Sequence, residues 1–287
     1  MYGVIIGDVA GSYYEMIEGS AHRNGDKPSY QDRIKILDKK VKLFNEYSTI
    51  TDDTVLSYAV IKKLLDGGSY EDRYRYYGEK ELNIGFSQRG IPAFGDMFTD
   101  WIKRNSVGES MNSYGNGASM RVAPIAYHFD NIDLILKEIT ESSKPTHNND
   151  EAIRCAQMVG TAIYLARKGH SITEIKEYLS TKYSYQLDYS LEDLQRNYTF
   201  MTRSKDSVPV AIAIFLQSTD FEDAIRKAIS VGGDSDTIAS ICGALGEAYY
   251  GIPEFLIKEV QKYIPSYMHE KIKEFYGQEG IKLEEKL

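Results

Sequence analysis

The sequence predicts an all-α fold, a single compact helical bundle over residues 1–287. Three observations carry this. Apolar side chains recur at three- and four-residue intervals, the two-residue alternation of half-buried strands is nearly absent, and no linker, repeat or low-complexity tract divides the chain. Composition agrees: 287 residues with 42% hydrophobic and 26% charged side chains can bury a substantial core.

The elements follow in order. "MYGVIIGDVAGSYYE" (1–15) has a short apolar run that ends at Asp8 without a basic lead-in, so it is not a secretory signal. Gly7 and Gly11 allow close packing, Asp8 is expected to act as a cap, and Glu15 lies two turns further on. "TVLSYAVIKKLLDGG" (54–68) places Val55, Tyr58, Ala59, Lys62 and Leu65 on successive turns and stops at Gly67–Gly68, as a helix end should. Residues 149–169 open with Asn and acids and close with Arg-Lys-Gly, which suits both ends of a helix dipole. Ser171 and Glu174 have capping-box spacing at the head of 171–180. Residues 207–218, with Pro209 near the start, present a continuous apolar face and read as a buried helix. Residues 220–233 are amphipathic and end in two glycines; 237–251 are rich in Ala, Gly and Ser, so neighbouring backbones can come close. The polar, Tyr-rich stretch 181–206 reads as loop mixed with short helix, and the last ten residues as a solvated tail.

Several function classes are disfavoured. A formal charge of −8 is not the basic footprint of a phosphate-backbone binder, so nucleic acid is not an expected partner. No stretch approaches the roughly 18 uninterrupted apolar residues of a membrane span. The expectation is a cytoplasmic monomer. Cys155 and Cys242 sit in apolar helical contexts and read as small buried hydrophobes, with a disulfide between them left open.

Two acid clusters point to chemistry. "TDDT" (51–54) and "GGDSDT" (232–237) each place acids and a threonine at the start of an apolar helix. Either one alone is explained by capping and first-turn acids. Together they offer Thr51, Asp52, Asp53, Asp234, Asp236 and Thr237, hard oxygen donors without His or Cys pairs, which suit Mg²⁺, Mn²⁺ or Ca²⁺ and not zinc. Four converging carboxylates repel, and divalent cations reverse that term. Beside them stand Glu15, a candidate general acid or base, and "SYGNGASMRVAPIA" (113–126). There Gly115 and Gly117 bracket Asn116 and expose backbone amides ahead of a short helix containing Arg121, a setting suited to a diphosphate. His147 is expected at a helix entrance, on a loop able to reach a pocket.

In this order, "GDVAGSYYE", "TDDT", "FGDMFTDW", "GNGASMRVAPIA", "TH" at 146–147 and "GGDSDTIASICGALGEAYYGIP" resemble the ADP-ribosylglycohydrolase family, over residues 3 to 264. The resemblance implies an all-α fold with a binuclear centre of two Mg²⁺ or Mn²⁺ ions on Thr51, Asp52, Asp53, Asp234, Asp236 and Thr237. It implies catalytic roles for Glu15, Asp53 and Asp236. It also implies an ADP-ribose cleft lined by Gly95, Ser113, Tyr114, Gly115, Asn116 and Gly117, with His147 as a further substrate-binding residue and Tyr114 flanking a ribose or the adenine. Arg121, read from its place after the Gly-rich loop, is expected either to bind the diphosphate of the substrate or to brace the metal helices. The implied reaction is release of ADP-ribose from a protein side chain or small conjugate. A non-catalytic ADP-ribose binder, a crystallin-like structural relative and a metal-dependent nucleotide phosphohydrolase are the alternatives. "GSYYE" is closer to the serine-type than the arginine-type pattern. Glu247 departs from the family's usual small residue, and there the expectation is adjusted packing with activity kept.

Overall fold

The computed structural model describes the chain apart from 25–27, 85–93, 105–106 and 280–287, and the side chains of 21–24 and 83–84. Among the described residues there are fifteen α-helices and no strand ladder. They are α1 (Tyr2–Asn24), α2 (Tyr30–Ile34), α3 (Asp52–Asp66), α4 (Tyr70–Ile84), α5 (Asp96–Lys103), α6 (Ala123–His128), α7 (Ile132–His147) and α8 (Asp150–Arg167). The second half adds α9 (Ile172–Tyr183), α10 (Leu191–Asn197), α11 (Ser204–Leu216), α12 (Phe221–Val231), α13 (Ser235–Tyr250), α14 (Glu254–Val260) and α15 (Ser266–Gln278).

At the centre α1 lies against α13, backbone on backbone. A Cβ added at Gly7 would stand 2.1 Å from the Ala239 carbonyl oxygen, and one at Gly11 would stand 2.4 Å from the Asp236 Cα. Only glycine permits that approach. α13 is buried from Ser235 to Ala248, with α8, α11 and α12 packed around it. Residues Ser207–Phe215 of α11 are buried, as the continuous apolar face predicts. α3 packs against α1, α4, α6 and α15, which brings its first turn to the head of α13. The glycine stops are met too: Gly67, Gly68, Gly232 and Gly233 all have positive φ, the region glycine enters without a Cβ penalty.

Several expectations shift. α11 begins at Ser204, so Pro209 sits in its second turn and not at the start. His147 closes α7 instead of opening α8: Pro145 is accommodated inside the last turn, and Asn149 caps the next helix. Arg121 precedes α6, which starts at Ala123. Stretch 181–206 is the mixture foreseen, with α10 between loops and an isolated antiparallel bridge from Gly115 to Arg203. Of the expected tail, Gln278 ends α15, Glu279 pairs with His128 at 2.6 Å, and 280–287 lie outside the described residues. Both cysteines are buried free thiols; Cys242 donates to the Ala211 carbonyl at 3.1 Å. Glu247 is satisfied where a small residue was expected: it accepts from the Gly3 amide at 2.8 Å, the Met1 amino group at 2.5 Å and the Tyr276 hydroxyl. Among the described residues no helix is long and apolar enough to cross a membrane.

Candidate active site

Helices that start with a capping residue mostly use it. The side chains of Ser29, Asn131, Asn149, Ser171, Ser190 and Asp220 each accept a first-turn amide. Thr51 and Asp234 hold the same position at α3 and α13 and make no such bond. Thr51 instead turns its hydroxyl to Asp8 Oδ1 at 2.8 Å, within 3.3 Å of Asp236 Oδ2. Asp234 accepts from Asn116 Nδ2 at 2.5 Å. Capping therefore does not account for these residues.

Asp8 takes over the cap of α3 from another helix. It lies inside α1, fully buried, and accepts from the Thr51 amide at 2.9 Å, the Thr54 amide at 3.1 Å and both threonine hydroxyls. The expected capping role is met, on a helix other than the one that carries Asp8. A signal was present: one acid in an apolar run whose glycines recur every four residues marks a buried carboxylate facing another element.

The remaining acids gather around Asp236. Carboxylate oxygens of Asp8, Asp53 and Asp236 lie within 4.8 Å of one another, as do those of Glu15, Asp234 and Asp236. Asp236 belongs to both sets. Thr237 donates its amide to Asp236 Oδ1 at 2.8 Å and its hydroxyl to Asp53 Oδ2 at 3.1 Å. Asp53 Oδ1 is buried with no hydrogen-bond partner. Asp52 and Glu15 are half-buried at the rim.

Electrostatics shows how uncomfortable the arrangement is. Burial first, then repulsion from Asp236, pushes the Asp8 carboxyl up to about 7 and that of Asp52 up to about 8. The same causes hold Asp53, Glu15 and Asp234 well above the usual carboxylate range. Burial raises Asp236 as well, against hydrogen bonds from the Thr237 amide, Glu15, Asp234 and Thr51. Arg121 is the cation that eases Asp52, and it acts through space from a buried position. A donor set of hard oxygens with an orphaned buried carboxylate oxygen fits a divalent cation.

The Gly-rich loop borders this centre through Asn116, whose Nδ2 also donates to Ser207 Oγ at 3.1 Å. Two amides expected to face a ligand are engaged within the protein: Gly115 donates to Ser113 Oγ at 3.0 Å and Asn116 to the Thr202 carbonyl at 2.8 Å. Tyr114 is 54% exposed, with the Arg203 guanidinium 5.2 Å from its ring centre. The His147 ring edge faces Gly115 and Gly117. Gly95 is exposed at the start of α5, and among the described residues no hydrogen bond joins it to the 113–117 loop. Arg121 has no exposed surface; its Nη2 donates to the Ser142 carbonyl and Thr146 Oγ1, so it stands behind the loop and not in contact with the cleft.

An all-α scaffold with an oxygen-rich carboxylate centre at two paired helix starts is the arrangement expected of an ADP-ribosylglycohydrolase. The sequence model of that family, described as ADP-ribosylglycohydrolase, matches residues 1–283, and the chain belongs to the family. It is 26% identical over 311 residues to ADP-ribosylhydrolase ARH3 of Homo sapiens, covering 88% of this chain and 84% of that protein. It is 25% identical over 235 residues to ADP-ribosylarginine hydrolase Tri1 of Pseudomonas putida (strain GB-1), covering 72% and 62%. A solved structure titled "ADP-ribosylglycohydrolase-related protein complex" superposes with a TM-score of 0.64 at 19% identity, covering 96% of this chain and 95% of that one, a likeness of fold.

Proposed function

We propose that this enzyme is a metal-dependent hydrolase that cleaves the glycosidic bond between ADP-ribose and an acceptor, either a protein side chain or a small conjugate. The observation that carries the reading is the pair of helix starts whose cap residues, Thr51 and Asp234, leave their own first-turn amides while the acids beside them gather around Asp236. In this reading Thr51, Asp52, Asp53, Asp234, Asp236 and Thr237 hold two Mg²⁺ or Mn²⁺ ions. Ions bound there offset the carboxylate repulsion and supply Lewis acidity toward water and ribose hydroxyls.

The chain's own groups do the rest. Asp8 fixes the start of α3 by holding Thr51 and Thr54. Cleavage develops positive charge on the ribose, which the surrounding Asp53 and Asp236 carboxylates stabilise. Glu15, at the rim and within 4.8 Å of Asp234 and Asp236, either protonates the departing group or takes a proton from the attacking water. The Ser113–Gly117 loop, with Gly95 and His147, receives the ADP-ribose, and the exposed Tyr114 face stacks on adenine or ribose.

Relatives named for hydrolysis of ADP-ribosyl groups support the substrate class, and one of them is named for arginine. The test is incubation with ADP-ribosyl-serine and ADP-ribosyl-arginine peptides, with and without EDTA, followed by product masses. The expected outcome is chelator-sensitive release of intact ADP-ribose from one peptide, abolished by Asp52→Ala or Asp236→Ala. Full activity in either variant, or AMP as the product, defeats the reading.

A further inference from the structure

His147 is wired to the protein interior in a way that determines which of its nitrogens carries hydrogen. The Arg121 guanidinium, 4.0 Å from the centre of the Tyr74 ring, donates from Nη2 to Thr146 Oγ1 at 2.6 Å and to the Ser142 carbonyl at 3.1 Å. Arginine has only donors, so the threonine oxygen accepts this bond. The same oxygen lies 2.7 Å from His147 Nδ1, and among the described residues it has no third hydrogen-bond partner. Thr146 is fully buried. If Nδ1 carried the hydrogen, it would donate to that oxygen and leave the threonine hydroxyl hydrogen buried with no acceptor, a state buried polar groups avoid. If the threonine donates to Nδ1, both its hydroxyl and that ring nitrogen are satisfied. Burial, reinforced by the charge of Arg121, also keeps the ring from taking a second proton.

The neutral ring then carries its hydrogen on Nε2, which has no partner among the described residues. A Cβ at Gly117 would come within 3.2 Å of His147 Cε1 and 3.3 Å of Nε2, and one at Gly115 within 3.6 Å of Nε2. The glycines leave that edge clear.

We propose that Arg121 and Thr146 are positioning residues that lock His147 as an Nε2–H donor facing the Ser113–Gly117 loop, where it recognises a ligand oxygen bearing lone pairs and does not act as a base. This rests on the reading that ADP-ribose occupies that loop. The tautomer itself is read without any turnover, by ¹⁵N NMR of histidine-labelled protein, with His147→Gln assigning the signals among the chain's 5 histidines. The expected spectrum has a pyrrole-type Nε2 and a pyridine-type Nδ1. Thr146→Val shifts the ring toward the other tautomer and weakens ADP-ribose binding about tenfold by calorimetry, the worth of one hydrogen bond. In turnover, KM rises more than kcat falls. Thr146→Ser, which keeps the hydroxyl, restores both tautomer and affinity. A wild-type ring with its hydrogen on Nδ1, or a valine variant with unchanged tautomer and affinity, overturns the inference. Loss of hydrolysis on every ADP-ribosyl substrate with the Nε2–H spectrum intact would instead count against the proposed function.

Discussion

Asp236 shows what a single residue can impose. It lies in both acid sets, so every neighbour feels its charge. Burial and that charge raise Asp8 and Asp52 to about 7 and about 8, far above an unfolded aspartate. A carboxyl raised in the folded state contributes stability only while it is protonated, and that contribution is lost as pH rises through the folded value. The metal-free protein should therefore lose stability steadily from about pH 4 to about pH 8. Mg²⁺ should raise its melting temperature more at pH 8 than at pH 5.5, because a ligand of the folded state stabilises by mass action and the ionised site binds better. A melting curve that is flat in pH after exhaustive chelation would contradict this. For the same reason, Asp234→Asn removes a carboxyl whose ionisation burial and Asp236 oppose, and should raise the metal-free melting temperature at alkaline pH by about 3 °C, while turnover is lost.

At the scale of elements, two kinds of helix start can be told apart by mutation. Ser171 forms a complete capping box with Glu174, so Ser171→Ala should cost about 1 kcal/mol in chemical denaturation. It should leave activity untouched. The opposite signs expected at Ser171 and Asp234 separate an acid or hydroxyl that serves its helix from one that serves a site. This is also where the sequence was easiest and hardest to read. Helix ends written in local chemistry were legible: the glycine stops after α3 and α12, the capping box of α9, the apolar run of α11. The acid pairs at α3 and α13 were legible as a pair because local repulsion has no local benefit. What escaped was non-local. Asp8 read as a cap, but nothing local names what it caps: its partners, Thr51 and Thr54, lie 43 and 46 residues away. Arg121 resembled a phosphate ligand by position, and only tertiary packing places it beneath the surface, against Tyr74. His147 was expected at a helix entrance, yet α7 absorbs Pro145 near its end, where few backbone bonds depend on it, and runs on to His147.

For the whole molecule, the seam between α1 and α13 holds both the core and the site. Gly7→Ala drives a methyl group into the Ala239 carbonyl, a backbone atom that cannot swing aside, and should destabilise by about 3 kcal/mol. It should also reduce activity in whatever folded fraction remains, since Asp8 follows directly in the chain. Equal activity per folded molecule would show that the seam supports the fold without setting the geometry of the acids. The seam also bears on how the protein is born. Ser240 donates to the Val4 carbonyl, a contact between residues 236 apart, so α1 has to wait until α13 has been made before it finds its partner. Until then a glycine-lined strip and an unpartnered aspartate stand open to water, and no fragment ending short of α13 can hold the carboxylates together.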